Sequence, residues 1–348
     1  MRRKNAKWIV LIILLAFAAP FILQIFEKIT GNDPSVDGGG TAQKPLPELN
    51  IPKFSADSAY AHTDKIVSFG PRIVGSAGAA KVKAWVVGKF KEYGADIIEQ
   101  NFKANTFDGK SLDATNIIAR YNLQATKRIV LSAHWDSRPF ADHDPDSTKH
   151  KQPILGADDS GSSVGTLIEI ARQLQANPLS NIGVDIVLFD AEDYGAPEKN
   201  KGNTNDTWAL GSQYWSKNPH VTGYSPAYGI NLDMIGARGA RYEKEGTSMK
   251  YASQIVEKVW RVGRHIGFYN YFLDEKYEGE LTDDHYFVNT IARFPMIDII
   301  NININPSRTF GDYWHTTSDN MSIIDKDALN AAGQTVLSVL HYEQAGAL

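Results

Sequence analysis

The stretch Arg128-Ile129-Val130-Leu131-Ser132-Ala133-His134-Trp135-Asp136 decides the fold. Arg128 to Ala133 reads as a short apolar strand that delivers a histidine, with a carboxylate two residues further on. The construction recurs along the chain. Val184 to Phe189 reads as a continuous apolar run, the pattern of a strand covered on both faces, and leads into Asp190 and then Glu192-Asp193. Tyr228 to Leu232 leads into Asp233, and Phe294 to Ile300 repeats the apolar pattern. Asp158-Asp159-Ser160 and Trp314-His315 supply further groups of the same kinds. In an open α/β sheet, groups at the carboxyl ends of different strands converge on one crevice, so residues far apart in sequence can share one metal. Carboxylates plus imidazole, with no cysteine in the chain, suit zinc at a hydrolase-type centre.

Helices fill the intervals. Val164, Leu167, Ile168, Ala171 and Leu174 recur at helical spacing after Ser160. Further helices are predicted over Ser55 to Ser68, Ala79 to Tyr93, Leu210 to Ser216, Ser248 to Ile266, Asp284 to Ala292 and Asp325 to Tyr342. Ile97 to Ala104 and Ala114 to Tyr121 read as a pair of edge strands. Strands alternating with helices predict a three-layer α/β/α domain with a mixed, largely parallel central sheet.

Composition sets the outer limits. The 348 residues are 43% hydrophobic and 22% charged, which is globular, and the net charge of −4 gives no footing for nucleic acid. The absence of cysteine excludes a thiol nucleophile, thiolate ligands and disulfides. Arg2, Arg3, Lys4 and Lys7 precede Trp8 to Phe26, a run without formal charge that as a helix spans about 28 Å. Residues 1–27 are therefore expected to be a membrane anchor, with the basic flank in the cytoplasm and the body on the far side of the inner membrane. Ala16-Phe17-Ala18 leaves open a cleaved signal peptide and a free periplasmic protein. Residues 28–52, rich in glycine and proline, read as a flexible linker, and residues 53–348 as the folded domain.

Each acidic motif also has a plainer explanation. His134 fits a loop histidine as well as a ligand, with Asp136 placed to orient its ring. Asp158-Asp159 precedes a helix, where aspartate commonly caps, yet capping needs one carboxylate and two adjacent ones repel. Glu192-Asp193 follows a buried strand, where acidic groups call for a metal or a catalytic task. Spacing by one residue gives two roles, one side chain for the metal and its neighbour for the substrate.

Taken in order, His134-X-Asp136, Gly156-Ala157-Asp158-Asp159-Ser160, Glu192-Asp193, Asp233 and His315-Thr316 resemble the zinc aminopeptidase family M28. More closely, the chain resembles the glutaminyl cyclases built on that fold, of the bacterial type related to animal enzymes. The closer likeness rests on Phe69-Gly70-Pro71-Arg72, Ala133 to Pro139, Asp190 to Gly195, Leu210 to Trp215, Asp283-Asp284-His285 and Trp314-His315, and covers about residues 55 to 345. It implies one zinc on Asp159, Asp193 and His315. It implies Glu192 as general acid/base, Asp233, Asp283 and Asp284 as an acidic network around it, and Trp314 and Phe310 as walls of the substrate pocket. The implied reaction closes an N-terminal glutamine of a peptide or protein to pyroglutamate, with zinc as Lewis acid on the side-chain amide. Many relatives carry glutamate where Asp193 stands. His134 is retained and, with Asp233, would serve a second zinc if the chain were instead a di-zinc aminopeptidase.

Overall fold

The segment before His134 is a strand buried from Ile129 to its end, and it lies inside a six-stranded sheet. The computed structural model of the chain describes residues 45–197, 204–277, 279–302 and 309–348. Its strands are β1 (Asp96–Asn105), β2 (Ser111–Tyr121), β3 (Lys127–His134), β4 (Ile182–Phe189), β5 (Tyr228–Asp233), β6 (Tyr242–Glu245), β7 (Phe272–Tyr277) and β8 (Met296–Ile300). The α-helices are α1 (Ala56–Ser68), α2 (Ala77–Glu92), α3 (Ser163–Ala176), α4 (Leu210–Lys217), α5 (Gly246–His265), α6 (Asp284–Phe287) and α7 (Lys326–Gln344). The expected span over 8–26 lies outside the described residues. Among the described residues no helix is long and apolar enough to cross a membrane.

The sheet order is β1-β2-β4-β3-β5-β8. β4, β3, β5 and β8 run parallel, while β2 is antiparallel to β4 and to β1. Helices α1, α3 and α7 pack together over one face, and α4 and α6 cover the other. Gly165 lets α3 approach α1, because a Cβ there would stand 2.8 Å from the carbonyl oxygen of Ala59. On the opposite face Trp215 of α4 packs into Ile118, Val130, Val187, Phe189 and Met296. The mixed, three-layer arrangement expected from the sequence is the one observed.

Three local expectations are corrected, and one pair of strands had no sequence signal. β2 is not an edge strand: Ile118 stands opposite Val187 of β4 as well as Ile98 of β1, and Ala114 to Ala119 are all buried. The run 184–189 is not apolar throughout, since Asp185 lies in it, fully buried. That carboxylate is held by Arg128 at 2.7 and 2.6 Å and by the Tyr224 hydroxyl, so charge pairing offsets its burial. The helix from Asp284 ends as an α-helix at Phe287, because Val288–Ala292 widens into a π turn. Asn289 bonds both the carbonyl and the amide of Met296, at 2.7 and 3.1 Å, which draws the chain into β8. The parallel pair β6 and β7 was not anticipated, since Tyr-Glu-Lys-Glu carries no apolar alternation.

Below the sheet, Glu343 of α7 is buried and accepts from Lys127 at 2.6 Å, from Lys258 and from the Tyr228 hydroxyl at 3.0 Å. Burial pushes its pKa up, but the two lysines outweigh burial and hold it below the ordinary glutamate value. Its stabilising contribution is therefore complete above the unfolded pKa of about 4.3 and lost as pH falls through the lower folded value. Glu343→Gln should cost about 1–3 kcal/mol at pH 7, and the deficit should shrink in denaturant melts taken at progressively more acid pH.

Candidate metal centre and active site

The carboxyl ends of the parallel strands carry the chemistry. β3 ends in His134 and β5 in Asp233, Glu192-Asp193 follow β4, and the loop before α3 presents Asp159. A loop before α7 presents His315, which sits in the left-handed region at φ 54°. His315 Nε2 stands 3.2 Å from Asp193 Oδ1 and 3.7 Å from Asp159 Oδ2. His134 Nε2 stands 2.8 Å from Asp159 Oδ1 and 3.4 Å from Asp233 Oδ1. Two triads result, Asp159-Asp193-His315 and His134-Asp159-Asp233, each with donor atoms within 4.8 Å of one another and with Asp159 in common.

These donors fit a metal. Both Asp193 oxygens, Asp233 Oδ1 and both His134 nitrogens are buried without a hydrogen-bond partner. Burial, followed by Asp159, pushes Asp193 well above the usual carboxylate range, and burial pushes Asp233 up to about 7. His134 is held well above the ordinary histidine value, because Asp136, Asp159 and Asp233 outweigh its burial. Burial, then Arg138, drives His315 well below that value, which keeps its ring neutral and able to ligate. A divalent cation balances such a cluster where protons otherwise must. Two carboxylates and one imidazole without sulfur form a donor set suited to zinc.

The backbone around these groups is fixed by buried charge. Asp136 lies 3.4 Å from His134 Nδ1, as its spacing suggested, but its oxygens also accept the backbone N–H groups of Glu192 and Asp193, both at 3.1 Å. Arg72 is fully buried and donates to the carbonyls of Trp135 at 2.8 Å, Leu155 at 2.5 Å and Gly156 at 2.8 Å. Gly156 has φ 59°, and a Cβ there would meet Asp159 O at 2.2 Å, so the turn into the metal loop requires glycine. Arg138 pairs with Asp142 at 2.7 and 2.8 Å and donates to Asp193 O at 3.0 Å. Asp158 faces away from the cluster, accepting from Gly236 N–H at 2.7 Å and Tyr313 OH at 2.7 Å. The adjacent carboxylates Asp158 and Asp159 thus point in different directions, and burial, with some repulsion from Asp159, pushes Asp158 up to about 6.

Glu192, Asp233 and Asp283 line a cleft of about 260 Å³ beside the triads. Burial raises Glu192 well above its ordinary value; His134 opposes and the nearby Asp283, Asp193 and Asp284 add to the rise. Asp283 is held low, because the His285 ring outweighs its burial, and it accepts from Asn231 at 3.1 Å. The paired residue Asp284 does not line the cleft. It is fully buried behind Asp283, with burial and then Asp283 raising its pKa. Phe310 and Trp314 line the cleft, their ring centroids 4.7 Å apart, and pack with Leu281, Met234 and Ile300 into an apolar wall. Trp314 stacks on His315 with centroids 3.7 Å apart.

Sequence reasoning missed several contributors. Trp208 closes the cleft, parallel to the His315 ring at 5.9 Å and over the Arg138 guanidinium at 4.6 Å. An aromatic inside a polar loop was the available signal. Behind Asp283, the His285 ring stands 3.0 Å from Glu245 and 3.8 Å from Asp298, a network spread over α6, β6 and β8 with no shared motif.

Residues 116–340 match peptidase family M28. A glutaminyl cyclase structure from Tannerella forsythia is 46% identical, with 83% of this chain and 99% of that chain covered at a TM-score of 0.80. A structure from Parabacteroides distasonis described as a Zn-dependent exopeptidase gives the same identity, coverage and TM-score. The glutaminyl-peptide cyclotransferase of Bos taurus is 26% identical over 300 residues, spanning 78% of this chain and 79% of the bovine protein.

Asp159→Ala and His315→Ala should each abolish tight zinc retention, whereas Glu192→Gln should retain it. Metal content per folded chain after dialysis against a weak chelator checks this. Retention of zinc by Asp159→Ala would show that the triads are not the metal centre.

Proposed function

Since the chain belongs to peptidase family M28, we propose a function that its cleft and its likeness to the glutaminyl cyclases jointly support. The protein is a glutaminyl-peptide cyclotransferase. It closes the N-terminal glutamine of peptides and proteins to pyroglutamate and releases ammonia. One observation carries the reading in this chain: an aromatic and aliphatic wall of Phe310, Trp314, Leu281 and Ile300 lines the same cleft of about 260 Å³ as the acidic groups Glu192, Asp233 and Asp283.

Asp159, Asp193 and His315 would hold one zinc, which when bound supplies a Lewis acid for the side-chain amide carbonyl. The remaining steps belong to the chain and the substrate. Trp314 and Phe310 orient the glutamine side chain by packing against its methylenes. The α-amine attacks the amide carbon, the ring C–N bond forms, and the bond to the amide nitrogen breaks. Glu192 takes a proton from the amine and returns one to the departing ammonia, and the rise of its pKa by burial strengthens it as the base of the first transfer. Asp283 lies close enough to Glu192 for its negative charge to favour the protonated form after the first transfer, and Asp233 lines the same cleft. The amine must be neutral to attack, so activity should decline below its pKa of about 7.7–8.0.

The second triad, His134-Asp159-Asp233, supports an M28 aminopeptidase as the weaker alternative. There Glu192 would activate water and the peptide bond would break. The two reactions separate cleanly on peptides. A glutamine-led peptide should release ammonia while a leucine-led peptide stays intact, and Glu192→Gln should lower turnover by about 10²–10⁴-fold. Free leucine appearing as fast as ammonia would replace the cyclase with the aminopeptidase.

The same reading includes the N-terminal segment. Residues 8–26 anchor the protein in the inner membrane, residues 28–52 act as tether, and the catalytic domain faces the extracytoplasmic side, where unfolded and newly exported N-termini are accessible. Membrane fractions washed at high salt should retain the full-length protein. A soluble form beginning near Ala19 would establish cleavage instead.

A further inference from the structure

Asp319 does not line the cleft, yet it is fully buried four residues after His315. Its Oδ1 accepts the backbone N–H of Asp158 at 2.8 Å, and its Oδ2 accepts that of Asp159 at 3.2 Å. Its own carbonyl accepts the N–H of Ala157 at 3.5 Å. Arg72 holds the other side of the same loop through the carbonyls of Leu155 and Gly156. The segment 155–159 is thus gripped by its carbonyls from one residue and by its amides from another. Asp319 also belongs to the turn that carries His315: its N–H donates to Thr316 O at 3.2 Å, and Thr317 is tied to Asp144 at 3.1 and 2.7 Å.

We propose that Asp319 is a positioning residue that locks the two halves of the metal centre together, fixing the Asp159 carboxylate relative to the His315 imidazole. The proposal rests on the metal reading above. The carboxylate suits the task because it offers an acceptor to each of two adjacent amides. One side chain thereby sets the position of the loop that presents Asp159, the residue common to both triads. His315, in a left-handed conformation, depends on the same turn for its own placement.

Asp319→Asn keeps the size of the side chain but turns one acceptor into a donor, so one of the two amides loses its bond. Zinc affinity of the full chain, measured by competition with a chromophoric chelator, should fall about 10–100-fold. The visible spectrum of the cobalt-substituted protein should shift as the ligand geometry changes. Ser162→Ala is the control. It removes hydroxyl bonds of 2.8 and 3.0 Å to Asp158 in the same loop while leaving the Asp159 amide held. It should keep wild-type zinc affinity and the wild-type cobalt spectrum even if its melting temperature drops. Should the asparagine variant fold poorly, Asp319→Ser, which removes one acceptor and the buried charge, should give the same order of affinities. Equal zinc affinity in wild type and Asp319→Asn, or equal losses in Asp319→Asn and Ser162→Ala, would overturn the proposal alone. A wild-type protein that binds no zinc would overturn the metal assignment and this proposal with it.

Discussion

Like charges brought together out of water repel strongly, and this chain places Asp159, Glu192, Asp193 and Asp233 around one buried crevice. Desolvation favours protonation of Glu192, Asp193 and Asp233, so an ionised cluster requires compensation built around it. The structure supplies it in three forms. Backbone amides are aimed at carboxylates, as at Asp136 and Asp319. Two buried guanidiniums, Arg72 and Arg138, hold the surrounding carbonyls and bring positive charge close to the acids. The remaining unpartnered oxygens and nitrogens converge as a metal-binding donor set. Without this constraint, a fully buried arginine bonded to a row of carbonyls would be hard to rationalise, since burying a cation is itself unfavourable.

The same constraint explains what could be read from the sequence. Apolar strands that end abruptly in acids are visible as text, because burial demands the run and the crevice demands the acid. That made β3, β4, β5 and the ligand candidates legible together. Less legible were features whose cause lies in another part of the chain. Asp185 interrupts a strand at no net loss only because Arg128 and Tyr224 reach it from neighbouring segments. β2 looks like an edge strand by its Asp113, Thr115 and Asn116, yet the Asn116 side chain bonds Gly211 O at 2.9 Å and Asp190 N–H at 3.0 Å, which lets a polar strand lie inside the sheet. The Asp283-Asp284 pair was read as one unit, but alternation at a helix start sends Asp283 into the cleft and Asp284 behind it. Trp208 had no periodicity to betray it, since its place depends on stacking against His315 and Arg138.

The ligands by themselves do not decide the reaction. Carboxylate, imidazole and a neighbouring glutamate serve either activated water or an internal amine, and the fold hosts both. The distinction lies in which carbonyl can reach the floor of the cleft. A wall that accepts a side chain brings the glutamine amide inward and leaves the following peptide bond outside. A wall that accepts the backbone does the reverse. Here Trp314 stacks directly on His315, and Phe310 packs tilted against Trp314, so the aromatic surface begins at the candidate ligand itself. In the proposed reaction, methylenes lying along the Trp314 face would leave the amide at their end directed to the acids. On the proposed reading, reaction type is set by the residues between the ligands and solvent. Trp208, Leu281, Phe310 and Trp314 sit on loops, where substitutions alter the wall without disturbing the sheet that holds the charges in place.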